Sequence, residues 1–104
     1  MSKDGAVLLG ECKALANETR LRILEWLKDP EVSFPASAGE TAGLGVCVGL
    51  LQQKAGTSAS TMSAHLAILQ RAGFLLATRR GQWTYYRRDE DRIRAFTERL
   101  HRDL

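Results

Sequence analysis

Residues 57–73 read TSASTMSAHLAILQRAG. Met62, Leu66 and Leu69 recur at helical spacing, so the stretch predicts a helix with one apolar stripe. Its opposite face holds only Ala59, Ser60, Ser63, Ala64 and Ala67. A surface helix ordinarily places long charged side chains there. A face of small residues suits close approach to another molecule. Ser58 reads as the N-cap, and Gly73 ends the helix after about Ala72.

On the N-terminal side, residues 46–55 predict a short helix with Cys47, Leu50 and Leu51 on one side, stopped by Gly56. Two short helices joined by a glycine turn make residues 46–72 a helix-turn-helix candidate. On the C-terminal side the period changes. FLLATRRGQWTYYRR, residues 74–88, reads as two short strands around Arg80-Gly81, with Trp83 and Tyr85 on one face and Thr84 and Tyr86 on the other. A hairpin directly after the second helix makes the motif winged.

The flanks are helical. Leu8, Cys12 and Leu15 share a face over residues 4–16, and Asn17 caps a second helix over 18–28 lined by Leu21, Ile23, Leu24 and Leu27. Pro30 ends it. Residues 30–45 read as a long loop, with Val32 and Phe34 as possible anchors. Asp89 caps the last helix, whose stripe is Ile93, Phe96, Leu100 and Leu104; Arg99, His101 and Arg102 suit its C-terminal end. The expected fold is mainly α with a small β-hairpin, a winged helix-turn-helix forming one domain over residues 1–104.

The chain has 104 residues, 44% hydrophobic and 26% charged, with net charge +3. That mild balance hides a local one: residues 71–88 carry Arg71, Arg79, Arg80, Arg87 and Arg88 and no acid. Such a segment suits phosphate; the alternative is a solvated arginine surface. No apolar run approaches a membrane span, and Ala6–Leu9 is too short for a signal-peptide core. The expectation is a cytoplasmic protein with reduced cysteines. No nucleophile–base arrangement is suggested. The glycines at 39, 43 and 45 lack the strand that a phosphate-binding loop requires, so an enzyme is not expected.

A recognition helix must enter a major groove about 12 Å wide. Ser60 and Ser63, with Thr61 at the edge, offer hydroxyls that meet phosphate or base edges. Ser58 lies at the helix start, Arg71 at its end, and Arg79, Arg80 and Gln82 on the wing. These are the candidate DNA contacts, with helix-surface filler as the alternative for the serines.

Three separated stretches, ALANETRLRILEWL, VCVGLLQQKAGTSASTMSAHLAILQRAGFL and RRGQWTYYRRD, together resemble the ArsR family of winged-helix repressors over about residues 11–90. The resemblance implies a homodimer through the first and last helices (residues 1–16 and 89–104), with Leu8, Leu15, Ile93, Phe96 and Leu100 at the interface. It implies double-stranded DNA carrying an inverted-repeat operator as partner, and release by an inducer. His65 matches a family histidine in S-x-H-L and joins the candidate contacts; the alternative is a histidine packed at the edge of the core. The sequence departs from the family at Ala59 and Ala64, where members often carry a long polar residue. The family's C-x-C metal site is broken at Cys47-Val48-Gly49, Leu50 stands where an aspartate is common, and the last helix has Asp89, Asp91 and Asp103 but only His101. No metal or cofactor is expected. Cys12 and Cys47 remain as a candidate sensor pair across the dimer, taking a metalloid or an oxidant; buried structural cysteines are the alternative. The expected function is a sequence-specific repressor. The rival is a winged helix that binds protein and not DNA.

Overall fold

Four helices open with the same device: a short polar side chain accepts the amide three residues on, satisfying a donor the helix leaves orphaned. Ser2 does so for Gly5 at 3.0 Å, Asn17 for Arg20 at 3.0 Å, Ser58 for Thr61 at 3.2 Å and Asp89 for Arg92 at 3.2 Å. The resulting elements, in a computed structural model that describes residues 1–35 and 43–104, are α1 (Lys3–Leu15), α2 (Glu18–Lys28), α3 (Pro30–Ser33), β1 (Val46–Cys47), α4 (Val48–Ala55), α5 (Ala59–Arg71), β2 (Leu75–Arg80), β3 (Trp83–Arg88) and α6 (Glu90–Asp103).

Two glycines close the helices of the central motif. Gly56 takes the left-handed region at φ 68° and ends α4; Gly73 does the same at φ 92° after α5. Phe74 N–H then donates to the Leu69 carbonyl at 3.0 Å, turning the chain into β2. β2 and β3 pair antiparallel from Leu75↔Arg88 to Arg80↔Trp83, with Gly81 and Gln82 as the two-residue turn. Asp89 N–H donates to the Phe74 carbonyl at 3.0 Å and clamps the base of the hairpin.

The sheet has a third strand that the sequence reading missed. β1 pairs antiparallel with β3, Val46 opposite Tyr86 and Cys47 opposite Tyr85, giving the order β1-β3-β2. The helix expected from residue 46 therefore starts at Val48, with Cys47 in extended backbone at its N-cap. A two-residue strand carries no periodicity of its own; its partner lies about forty residues away. The expected loop over 30–45 is also interrupted. Pro30 ends α2 and occupies the first turn of α3, where its missing N–H is not needed. The part of that loop at 36–42 lies outside the described residues.

The core gathers Ile23, Leu51, Met62, Leu66, Leu69 and Phe74, with Phe96 edge-on to Phe74 at 5.3 Å between ring centres. Of the residues expected to line α2, Ile23 and Leu27 are buried, whereas Leu21 is 51% exposed: the stripe is rotated toward Ile23. Val32, expected as an anchor, faces solvent while Phe34 is buried. Leu104 is exposed beyond the end of α6. Arg99 of α6 reaches the buried Glu11 carboxylate of α1 at 2.5 Å, tying the two terminal helices together.

Candidate nucleic-acid interface

Met62, Leu66 and Leu69 are completely buried, and this fixes the rotation of α5 about its axis. Each such side chain contributes about 1.5–3 kcal/mol by leaving water. The opposite side is then forced outward: Ala59, Ser60, Ser63, Ala64 and Arg71 are all exposed. The face expected to be small is bare at Ala59, Ser60, Ser63 and Ala64, whereas Ala67 is half-buried.

At its N-terminal end the hydroxyls form one cluster. Ser58 Oγ accepts the Thr61 amide, donates to Thr61 Oγ1 at 2.9 Å and lies 3.3 Å from Ser60 Oγ. No acid occupies the first turn of α5, nor of α4. By contrast α1 carries Asp4 there, α2 Glu18, α3 Glu31 and α6 both Glu90 and Asp91. Acids in a first turn neutralise the positive end of the helix dipole. The two helices of the central motif leave it unneutralised, which suits an external anion such as phosphate. That contrast was readable in the sequence.

His65 sits one turn further along, half-buried. Its Nδ1 accepts from Arg20 Nη1 at 3.1 Å, so the neutral ring keeps its proton on Nε2. Burial, and then the Arg20 charge, hold the imidazolium pKa below its ordinary value. Sequence reasoning missed Arg20. It also donates to the Ala14 carbonyl at 2.6 Å and the Lys13 carbonyl at 3.3 Å, capping the end of α1. Contacts across 45 residues leave no local signal.

On the wing, Arg79, Arg80 and Gln82 are exposed at the tip, and Arg79 Nε donates to the Gly81 carbonyl at 3.1 Å. Trp83, also at the tip, is 53% exposed. Arg88 is spent on structure, donating to the Leu24 carbonyl and pairing with Glu90. Arg71 Nε donates to the Ala67 carbonyl at 3.3 Å and its side chain stays at the surface. Cys12 and Cys47 are both free thiols, half-buried. Among the described residues no group of three His, Cys, Asp or Glu side chains is placed to hold a metal ion, and no helix is long and apolar enough to cross a membrane.

A glycine turn between two helices, a bare helix face and an arginine-tipped hairpin define a winged helix-turn-helix DNA-binding domain. No family model matches the chain. It is 43% identical to the HTH-type transcriptional regulator YbzH of Bacillus subtilis over 93 residues, covering 88% of this chain and 93% of that protein. It is 34% identical to the transcriptional activator HlyU of Vibrio cholerae over 102 residues, covering 98% of this chain and 82% of HlyU. The solved structure of Vibrio cholerae HlyU matches at TM-score 0.67 with 31% identity, over 98% of this chain and 96% of that one. The homodimeric winged helix-turn-helix DNA-binding domain Mb0332 of Mycobacterium bovis, described as a possible ArsR-family regulator, matches at TM-score 0.64 with 31% identity over 99% and 88%. The chain belongs to the ArsR family of winged helix-turn-helix transcriptional regulators.

Proposed function

We propose that the protein is a cytoplasmic homodimer that represses transcription by occupying an inverted-repeat operator, and that a signal releases it. It is not an enzyme and needs no cofactor or metal. The observation that carries this is the exposed hydroxyl end of α5, free of acids in its first turn and followed by the arginine-tipped wing. Ser58, Ser60, Thr61 and Ser63 meet phosphate and base edges; Arg79, Arg80 and Gln82 meet the flanking backbone or minor groove. Arg71 adds a phosphate contact at the far end of α5. His65 contributes through Nε2, its other nitrogen being held by Arg20. Leu8, Leu15, Ile93 and Leu100, each half-buried within one chain, keep surface for a partner; Phe96 is 5% exposed and supports that face from inside. The homodimeric state of Mb0332 supports the dimer.

Fluorescence anisotropy tests the reading, with the DNA upstream of the protein's own reading frame against a scrambled duplex over a salt series. Tight, salt-sensitive binding that prefers the upstream duplex is expected. Equal, weak binding to both overturns it and favours the rival, a protein-binding winged helix. The exposed Ala59 and Ala64 favour that rival, because they remove two long side chains from the reading face. HlyU is named an activator, so the sign of regulation is read separately, from a promoter fusion with and without the protein. The signal is proposed to act through Cys12 and Cys47. Serine replacements, singly and together, should abolish the response of DNA affinity to oxidation or arsenite.

A further inference from the structure

Beside the C-terminal half of α5 runs an open groove of about 610 Å³, walled by α1 and by the start of α6. Its floor is apolar: Val7, Gly10 and Ala14 come from α1, Ile68 from α5 and Ala72 from the C-cap of α5. Its rim is cationic, with Lys13, Arg20, Arg71 and Arg92. Glu11 also lines it, but its carboxylate is engaged by Arg99. Among the described residues no acid pairs with Lys13, Arg71 or Arg92. Arg20 spends three N–H groups on Ala14, Lys13 and His65, so it is a fixed wall. The space beside Gly10 is open, with no atom within 4 Å of where a Cβ would stand. At the α5 end, the Arg92 guanidinium lies directly against Gly73, in the place a Cβ would take. The missing side chain thus lets a planar cation pack over the end of the recognition helix.

A concave apolar floor with guanidinium groups at one end matches an amphipathic anion. Guanidinium binds carboxylate in a bidentate fork, and an aliphatic chain gains by burial on the floor. We propose that the groove binds an aliphatic monocarboxylate, chain along Val7, Gly10 and Ile68, carboxylate between Arg71 and Arg92. The ligand would then touch the recognition helix and α1 at once and alter the seat of one on the other. DNA is the less suitable occupant. Phosphate has no use for an apolar floor, and of the four cations lining the groove only Arg71 is a proposed DNA contact. The effect on DNA rests on the function proposed above; binding of the acid does not.

The test titrates the isotope-labelled full chain, without DNA, with decanoate below its micellar concentration. Decanol and inorganic phosphate serve as controls, and backbone amide shifts are followed by NMR. Decanoate should give saturable shifts centred on Gly10, Ile68, Ala72 and Gly73. Decanol, lacking the charge-assisted contacts, should bind about tenfold more weakly or less, and phosphate should not saturate. Arg92→Gln should weaken decanoate about tenfold and leave DNA anisotropy unchanged. Val7→Trp, at an exposed position, should fill the floor and abolish the shifts. Absent or non-saturating shifts, or equal binding of decanol, overturn the proposal. So does loss of DNA affinity in Arg92→Gln without ligand, which would assign the rim to DNA. A change in sedimentation mass in Val7→Trp would assign the groove to a second copy and overturn it equally.

Discussion

Ser58 Oγ accepts the Thr61 amide at 3.2 Å while donating to Thr61 Oγ1 at 2.9 Å. One atom therefore sets both where α5 starts and how its hydroxyls are held. Ser58→Ala should lower stability by about 1 kcal/mol, as loss of an N-cap does, measured by denaturant unfolding. Ser58→Asp keeps the cap but puts a negative charge where the unneutralised helix end is proposed to meet phosphate. It should retain stability and lose DNA affinity, a split that a merely structural serine would not give. His65 makes a pH prediction. Its folded pKa lies below the ordinary value near 6.5, so the unfolded chain binds the proton more readily. Stability is thus full above about 6.5 and falls as pH drops from there toward the folded pKa. A protonated ring loses the acceptor that Arg20 uses and places two cations side by side. His65→Gln should flatten this part of the pH profile of thermal stability.

At the scale of the element, what was legible in the sequence was what short-range chemistry writes. The caps at Asn17, Ser58 and Asp89 and the stops at Gly56 and Gly73 act within a few residues, and each appears where the sequence put it. β1 was illegible because two residues have no period and their partners are Tyr85 and Tyr86. Leu21 was misread because periodicity gives a stripe's spacing but tertiary packing chooses its phase. In the interface the small face of α5 was legible; the Arg20–His65 contact, being long-range, was not. The hidden strand has its own test. Gly45 sits at φ 103° with a Cβ position that would collide with the Tyr86 carbonyl. Gly45→Ala should therefore cost at least about 2 kcal/mol from backbone strain and displaced pairing. The wing tip makes a prediction of another kind. Each phosphate contact removed lowers the magnitude of the salt slope by about 0.9. Arg79→Ala with Arg80→Ala should weaken scrambled and upstream duplexes alike and flatten the slope by about twice that amount, because phosphate contacts carry no sequence.

The whole molecule measures 43 × 25 × 24 Å with a radius of gyration of 14.2 Å, where a compact chain of this length would have about 13 Å. An elongated small protein exposes more surface for its core, and here Val7 and Leu9 on α1 are among the apolar residues left outside. Within the chain α1 and α6 are held by the Arg99–Glu11 pair, with the carboxylate buried and the guanidinium partly exposed. Arg99→Met would strand that carboxylate in the interior. Breaking a fully buried pair costs about 3–5 kcal/mol, and with one partner reaching solvent on the order of 2 kcal/mol is expected. The same substitution loosens the two helices that the proposed dimer uses, so its effect should exceed the folding loss. Sedimentation equilibrium should give twice the 11.5 kDa chain mass for the unaltered protein, and Arg99→Met should shift the equilibrium toward monomer at concentrations where both remain folded. Affinity for the upstream duplex should then fall steeply while affinity for scrambled DNA falls little. Two joined subunits bind the second half-site at high effective concentration, whereas separate ones bind each half-site alone. If Arg99→Met lowers stability but leaves mass and operator preference unchanged, the pair serves one chain only and the interface lies elsewhere.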